Sequence, residues 1–310
     1  MSAAATRESE KMFCASCGTA GVDEIKLKKC NACYLVRYCS VKCQKEHRPK
    51  HKKECKKRVA ELRDEILFKQ PESTHDDDCP ICCLPVPIEP SKTTFLPCCS
   101  KSICNGCDHV NTKRGLEGKL QLKCPFCREA LPKTEKESID QLMKRVEAND
   151  AAAICYLASK RIKKGDYKAA IEYFTRAVAL GDVDAHFQLS TFYYHGEGVE
   201  TDEKRALHHA EKAAIGGHPY ARHSLGCVEA KNGRMNRAAK HFIIAANLGH
   251  DDSLERVKDL YKAGFVSKED FAAALRGHQA AIDATKSPQR EEAAEFKKWL
   301  EGCEKGTGFD

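Results

Sequence analysis

Residues 206–217, ALHHAEKAAIGG, have counterparts at 170–181, AIEYFTRAVALG, and at 238–249, AAKHFIIAANLG. In each stretch small or aromatic side chains recur at i, i+4, i+7 and i+8. The three sets are Ala170, Phe174, Ala177 and Val178; Ala206, Ala210, Ala213 and Ala214; and Ala238, Phe242, Ala245 and Ala246. That spacing gives a helix one apolar face. A glycine-containing turn follows each time: LGDVDA, GGHPYA, LGHDDS. The stretches are offset by 36 and then 32 residues, and the shorter step arises where YYHGEGVETDEK (193–204) gives way to EAKNGRMN (229–236). A period of about 35 residues with two helices per unit predicts an α-solenoid. Small residues at matched positions let the paired helices approach closely, and a long bundle without repeats would not reproduce the turn.

The chain before this region has a different character. Of 19 cysteines in 310 residues, sixteen lie between Cys14 and Cys127, leaving Cys155, Cys227 and Cys303. Paired Cys-x-x-Cys spacings, with no apolar leader in the opening MSAAATRESEKMF, favour zinc over disulfides and a reducing compartment, cytoplasm or nucleus. No run of about 18 apolar residues occurs, so no membrane span is expected. The formal charge of +7 is weak evidence for a nucleic-acid partner. Fifteen thiolates around about four zinc ions would cancel it, because a ligating thiol is deprotonated. The basic run HRPKHKKECKKR (47–58) is read as a solvated face beside those thiolates.

The first cluster supplies Cys14, Cys17, Cys30, Cys33, Cys39, Cys43, His51 and Cys55. Eight ligands suffice for two closed tetrahedral zinc sites, with no position left for a substrate. Two intervening residues bring a cysteine pair to one metal. The i, i+4 pairs Cys39/Cys43 and His51/Cys55 suit one face of a helical turn. The segment RYCSVKCQ (37–44) and the terminal His-x-x-x-Cys resemble a MYND finger. The resemblance implies a cross-braced pairing, Cys14, Cys17, Cys39 and Cys43 on one zinc and Cys30, Cys33, His51 and Cys55 on the other. It also implies a protein-binding module, often for proline-containing peptides. His47 is left out because its spacing to Cys55 is wrong for the final pair.

The second cluster holds three knuckles, Cys79/Cys82, Cys104/Cys107 and Cys124/Cys127, with Cys98 and Cys99 between the first two. CPIC and CPFCR at its ends resemble a RING finger over residues 79–128. That resemblance implies one zinc on Cys79, Cys82, Cys104 and Cys107, and a second on Cys124, Cys127 and the Cys98/Cys99 segment. The usual histidine is missing: its offset falls on Lys101, a protonated donor with no lone pair. Both Cys98 and Cys99 are expected to ligate if the chain turns there, with His109 or water as the rival. RING fingers with ligase activity bind a ubiquitin-conjugating enzyme through an apolar patch and carry no nucleophile. Ile81 and Pro125 match that platform, and Arg128 matches the residue that orients the charged ubiquitin.

The segments 185–221 and 221–253 resemble Sel-one-like repeats, relatives of the tetratricopeptide class, which bind proteins and carry no chemistry of their own. The expected fold is two small zinc-stabilised α+β modules followed by an all-α helical-repeat solenoid. Its parts are a disordered N-terminus (1–13), a MYND finger (14–55), a helix (56–69) and linker (to 78), and a RING-like finger (79–128). Repeats (150–254), a helical cap including Trp299 (255–300) and a tail (301–310) follow. Cys155 and Cys227 are read as small packing residues. The combination resembles MYND- and RING-bearing repeat proteins of unicellular algae. It implies a zinc-binding interaction protein, either a RING ubiquitin ligase or a non-enzymatic scaffold, with a nucleic-acid-binding regulator as a weaker alternative.

Overall fold

The computed structural model describes residues 13–21, 26–118 and 122–306, the side chains of 303–306 excepted. Most of the N-terminal segment expected to be disordered, and the end of the tail, therefore lie outside the described residues. The chain falls into two compact units, 1–69 and 70–310.

In the first unit strands β1 (Lys28–Lys29) and β2 (Arg37–Tyr38) pair antiparallel, Lys28 opposite Tyr38. Helix α1 (Val41–Leu67) follows, with the Ser40 hydroxyl accepting from the Cys43 N–H at 3.2 Å as its N-cap. The helix expected from residue 56 is thus the second half of a longer one that starts inside the finger. It passes through Pro49 and carries Cys43, His51 and Cys55 before reaching the predicted amphipathic stretch. The buried residues of this unit's small core are Cys14, Cys30, Cys33, Cys43 and Tyr38. A core made almost entirely of thiols cannot stabilise so short a segment by burial alone.

The second unit opens with an extended arm and the hairpin β3 (Thr93–Leu96) and β4 (Lys101–Cys104), registered Thr93 to Cys104 and Leu96 to Lys101. Helix α2 (Asn105–Glu117) follows. Then come α3 (Glu135–Glu147), α4 (Ala151–Lys163), α5 (Tyr167–Ala179), α6 (Val183–His195), α7 (Glu203–Ile215), α8 (Pro219–Lys231) and α9 (Met235–Asn247). Last are α10 (Asp251–Lys262), α11 (Lys268–Ala284) and α12 (Pro288–Gly306).

The three periodic sets lie on α5, α7 and α9, and all but Val178 are buried. Each packs against the helix before it, α4, α6 and α8. The recurring turn has one geometry. Gly181, Gly217 and Gly249 adopt φ of 89°, 90° and 90°, where a side chain would be strained. The next residue donates its N–H back five positions (Asp182 to Ala177 O, His218 to Ala213 O, His250 to Ala245 O) and then caps the following helix with its side chain. That is the glycine C-cap of one helix joined to the N-cap of the next. Asn149 (φ 57°) and Asp150 repeat it ahead of α4.

The arm, hairpin and α12 are part of this unit. Phe95 of β3 stacks on Tyr156 of α4 at 4.2 Å. A Cβ on Gly217 would lie 2.9 Å from the Ser73 carbonyl oxygen, so the arm rests directly on a repeat turn. Trp299 and its helix were expected to cap the stack. Instead α11 packs on α9 and α10, while α12 packs on α2 of the second cysteine-rich segment, with Trp299 exposed. Among the described residues no helix is long and apolar enough to cross a membrane.

Gly226 tests the tightness of the α8–α9 pair. Alanine at a helical glycine ordinarily gains about 1 kcal/mol. Here a Cβ would meet three ring atoms of the buried Phe242 at 2.6–2.9 Å, and such overpacking costs about 1–3 kcal/mol. Gly226→Ala should therefore lower stability, read as an earlier midpoint in chemical denaturation of the helical signal.

Candidate metal centres

Four knuckles share one backbone turn. After Cys14/Cys17, Cys30/Cys33, Cys79/Cys82 and Cys124/Cys127 the next residue is left-handed: Gly18 (φ 74°), Tyr34 (58°), Cys83 (54°) and Arg128 (61°). Its N–H donates to the carbonyl of the first cysteine at 2.8–3.1 Å. For a residue other than glycine this conformation costs on the order of 1–3 kcal/mol and persists only where the surroundings fix it.

These turns assemble four groups, within each of which one ligand atom per residue lies within 4.8 Å of the others. In the first unit they are Cys14, Cys17, Cys39 and Cys43, and Cys30, Cys33, His51 and Cys55. Sulfur separations of 3.5 Å (Cys17–Cys39), 3.6 Å (Cys39–Cys43) and 3.9 Å (Cys30–Cys55) are close to tetrahedron edges built on zinc–sulfur bonds of about 2.3 Å. His51 Nε2 points inward, 3.2 Å from Cys33 Sγ, while its buried Nδ1 lies 4.0 Å from Glu54, beyond hydrogen-bond reach. His47 is outside both groups, its Nδ1 3.1 Å from the Tyr38 hydroxyl.

In the second unit the groups are Cys79, Cys82, Cys104 and Cys107, and Cys98, Cys99, Cys124 and Cys127. Cys98 and Cys99 sit at the tip of the β3–β4 hairpin. There the N–H groups of Cys99 and Ser100 both donate to Leu96 O, and Ser100 is left-handed (φ 57°). The chain turns between β3 and β4, and Cys99 Sγ reaches 3.7 Å from Cys124 Sγ. Lys101 turns out over the Phe126 ring, and His109 lies against Glu292 and Phe296 of α12, so neither enters the group.

The donor chemistry calls for a dication. Burial raises the Cys14, Cys30 and Cys79 thiols, but backbone N–H groups outweigh it and hold each at about 6: those of the same knuckle for Cys30, of Cys17, Cys39 and Ser16 for Cys14, and of Cys104 ahead of Cys82 and Ile81 for Cys79. Their neighbours then rise: the Cys17 and Cys43 sulfurs push Cys39 up to about 12, and burial with Cys33 and Cys30 pushes Cys55 to about 11. Burial together with the neighbouring sulfurs raises Cys98 and Cys107 as well. Four thiolates this close need a bound dication to be ionised together.

A fifth group, His75, Asp184 and His218, has a different logic. His75 Nε2 and His218 Nε2 lie 2.7 and 3.2 Å from the same Asp184 oxygen. His218 Nδ1 accepts the Ala221 N–H as a helix cap, so its proton sits on Nε2 and no lone pair faces inward. The group is a polar clasp holding the arm to the repeats.

Sequence reasoning passed over Cys83, the sixteenth cysteine of the fingers, which is exposed directly after a ligand position. Cys155 is buried among α4–α6 residues, as read. Cys227 is exposed, 3.5 Å from His223 Nε2, which corrects its reading as a packing residue. The helical period places residue 227 on the outward side of α8 while Leu225 and Gly226 face inward.

Residues 14–55 match the family model of the MYND finger, and residues 146–182, 183–218 and 224–250 match that of the Sel1 repeat. The chain therefore carries a MYND finger, a zinc-binding module, and Sel1 repeats, modules of protein–protein interaction. It is similar to chitin synthase regulatory factor 4 of Schizosaccharomyces pombe, 29% identical over 86 residues, 27% of this chain and 14% of that protein. It is 23% identical over 196 residues to DAP3-binding cell death enhancer 1 of Mus musculus, covering 50% of this chain and 38% of the other. It is 40% identical over 52 residues to SET domain and MYND-type zinc finger protein 6 of Schizosaccharomyces pombe, 17% of this chain and 11% of that protein. The chain spans well under half the length of these curated relatives. Among solved structures, a Sel1 repeat protein from Oxalobacter formigenes is 28% identical with a TM-score of 0.43, over 50% of this chain and 66% of that one. A protective antigen of uropathogenic Escherichia coli with an SLR fold is 24% identical with a TM-score of 0.40, over 54% and 37%.

Stripping zinc at neutral pH should unfold the finger of the first unit and leave most far-ultraviolet helical signal, which comes from α3 to α11. A loss of the whole helical signal with the metal would contradict repeats that fold on their own packing.

Proposed function

We propose that the chain is an adaptor holding four zinc ions, two in the MYND finger and two in a RING-type finger over residues 79–128. In this reading the RING-type finger recruits a ubiquitin-conjugating enzyme, while the MYND finger and repeats select the protein to be modified. The observation that carries it is the placement of three side chains around two closed four-sulfur groups. Ile81, between ligands Cys79 and Cys82, is 42% exposed although it is a large apolar residue, and Pro125 and Arg128 are exposed on the last knuckle. With every donor of both groups used by its own zinc, the finger has no open metal position among the described residues. Its contribution is positional: Ile81 and Pro125 give the enzyme an apolar seat, and Arg128 presents a planar, two-pronged donor to hold the thioester-linked ubiquitin for attack. Partners of the MYND finger are proline-containing peptides in this reading, and its work lies in the cytoplasm or nucleus.

A non-enzymatic scaffold is the second reading. It is favoured by the way the finger is joined to the repeats through Phe95–Tyr156 and to the C-terminal helix through α2–α12.

Discharge of ubiquitin from a charged conjugating enzyme onto free lysine separates the two. The ligase reading expects Arg128→Ala to slow discharge tenfold or more with zinc content unchanged, and Ile81→Ala to weaken capture of the conjugating enzyme. Intact protein inactive across a broad panel of conjugating enzymes would leave the scaffold. Elemental analysis should give four zinc ions per chain, and a value of two would remove the RING-type sites.

A further inference from the structure

We propose that Arg290, at the start of α12, is a positioning residue for the metal site of Cys79, Cys82, Cys104 and Cys107, so that the C-terminal helix belongs to the second finger. The inference rests on the zinc reading of that cluster. One guanidinium ties three segments together. Nη2 donates to Cys82 Sγ at 3.5 Å and to Leu84 O at 3.3 Å, and Nη1 donates to Pro85 O at 2.7 Å and to Thr285 O at 2.6 Å. The first knuckle, the segment leaving it and the end of α11 therefore all converge on one side chain.

The second knuckle of the same site makes room for it. Gly106 lies between Cys104 and Cys107, and a Cβ there would fall 2.7 Å from the Arg290 nitrogen and 2.8 Å from the Gln289 carbonyl carbon. Farther along the same two helices Glu292 pairs with Lys113 at 3.0 Å and His109 at 3.6 Å, and Phe296 packs on His109. Gly106, His109 and Lys113 share one face of α2 by their i, i+3, i+7 spacing, and that face is the one α12 covers.

The physical reason for a cation here is the charge of the centre. Four thiolates around one zinc(II) leave a net −2, and a fixed N–H donor carrying positive charge stabilises the ligand sulfur it touches. A lysine could supply the charge but not two nitrogens aimed at different acceptors. Partners of ligand atoms of this kind typically alter metal affinity about 10–100-fold when removed.

The test is zinc release from the full-length chain to an excess of the chromogenic chelator 4-(2-pyridylazo)resorcinol. Arg290→Ala should release one of its zinc ions at least tenfold faster than the parent, and Arg290→Lys should fall between. Glu292→Ala, which loosens the same helix without touching a thiolate, should stay within about twofold. With cadmium-113 in place of zinc, three all-sulfur centres are expected from the ligand sets, and Arg290→Ala should move one of their resonances. Unchanged release and spectrum in Arg290→Ala would overturn the proposal, as would equal acceleration by Glu292→Ala, which would make helix docking rather than the guanidinium responsible. Parent protein binding only two zinc ions would instead remove the metal reading on which the inference stands.

Discussion

The left-handed turn after four of the five Cys-x-x-Cys pairs, all but Cys104/Cys107 on α2, is the constraint on which both cysteine-rich modules depend. It brings the two sulfurs of a knuckle to one side, and three of the four turns are made without glycine, at Tyr34, Cys83 and Arg128. At roughly 1–3 kcal/mol each, these conformations would not persist in modules whose small buried cores consist largely of the thiols themselves, four of five residues in the first and three of six in the second. In the MYND finger zinc supplies the difference, since structural sites bind with about 10–16 kcal/mol, and the proposed RING-type sites would do the same for the turns at Cys83 and Arg128. The hairpin tip at Cys98 and Cys99 is a variation on the same solution, with Ser100 taking the left-handed position so that adjacent cysteines face one centre.

The repeats solve their own closure problem with the same backbone conformation and no metal. Glycine at φ near 90° ends one helix, and the following Asp or His caps the next. Buried polar groups are tolerated where they serve that geometry. His250 is held neutral by burial, its pKa at about 4, and accepts the Ser253 N–H as a cap. Arg222 is fully buried, yet donates to Ala214 O in the last turn of α7, where the carbonyl end of the helix dipole favours a cation.

What was legible in the sequence was local. Ligand pairs two or four residues apart, and an apolar face recurring with a fixed turn, are read from a few neighbouring positions at a time. The helix at 56–69 was legible only in its apolar half, because Pro49 and the basic run hide the continuity that the Ser40 cap and metal-facing side chains impose. The course of α12 was not legible at all. Its docking depends on a missing Cβ at Gly106 meeting the backbone at Arg290, a pairing that no periodicity within either helix records. Nor was the arm at 70–78, where acidic and polar residues suggested a free linker. There His75 and His218 share one oxygen of Asp184, three side chains from three distant parts of the sequence.

The docking of α12 narrows how the second finger can meet a partner. The face of α2 carrying Gly106, His109 and Lys113 is filled from within the chain, whereas Ile81, Pro125 and Arg128 remain exposed on the knuckles. In the ligase reading that face of α2 is closed to the conjugating enzyme, and the knuckle side is open to it. Arg290 contacts Leu84 and Pro85, only a few residues beyond Ile81, so the loop that presents Ile81 is held from behind by the C-terminal helix. A rigidly held apolar side chain loses little conformational freedom on binding, and that preorganisation favours capture. The helix that closes one face of the finger thus fixes the shape of the face left open.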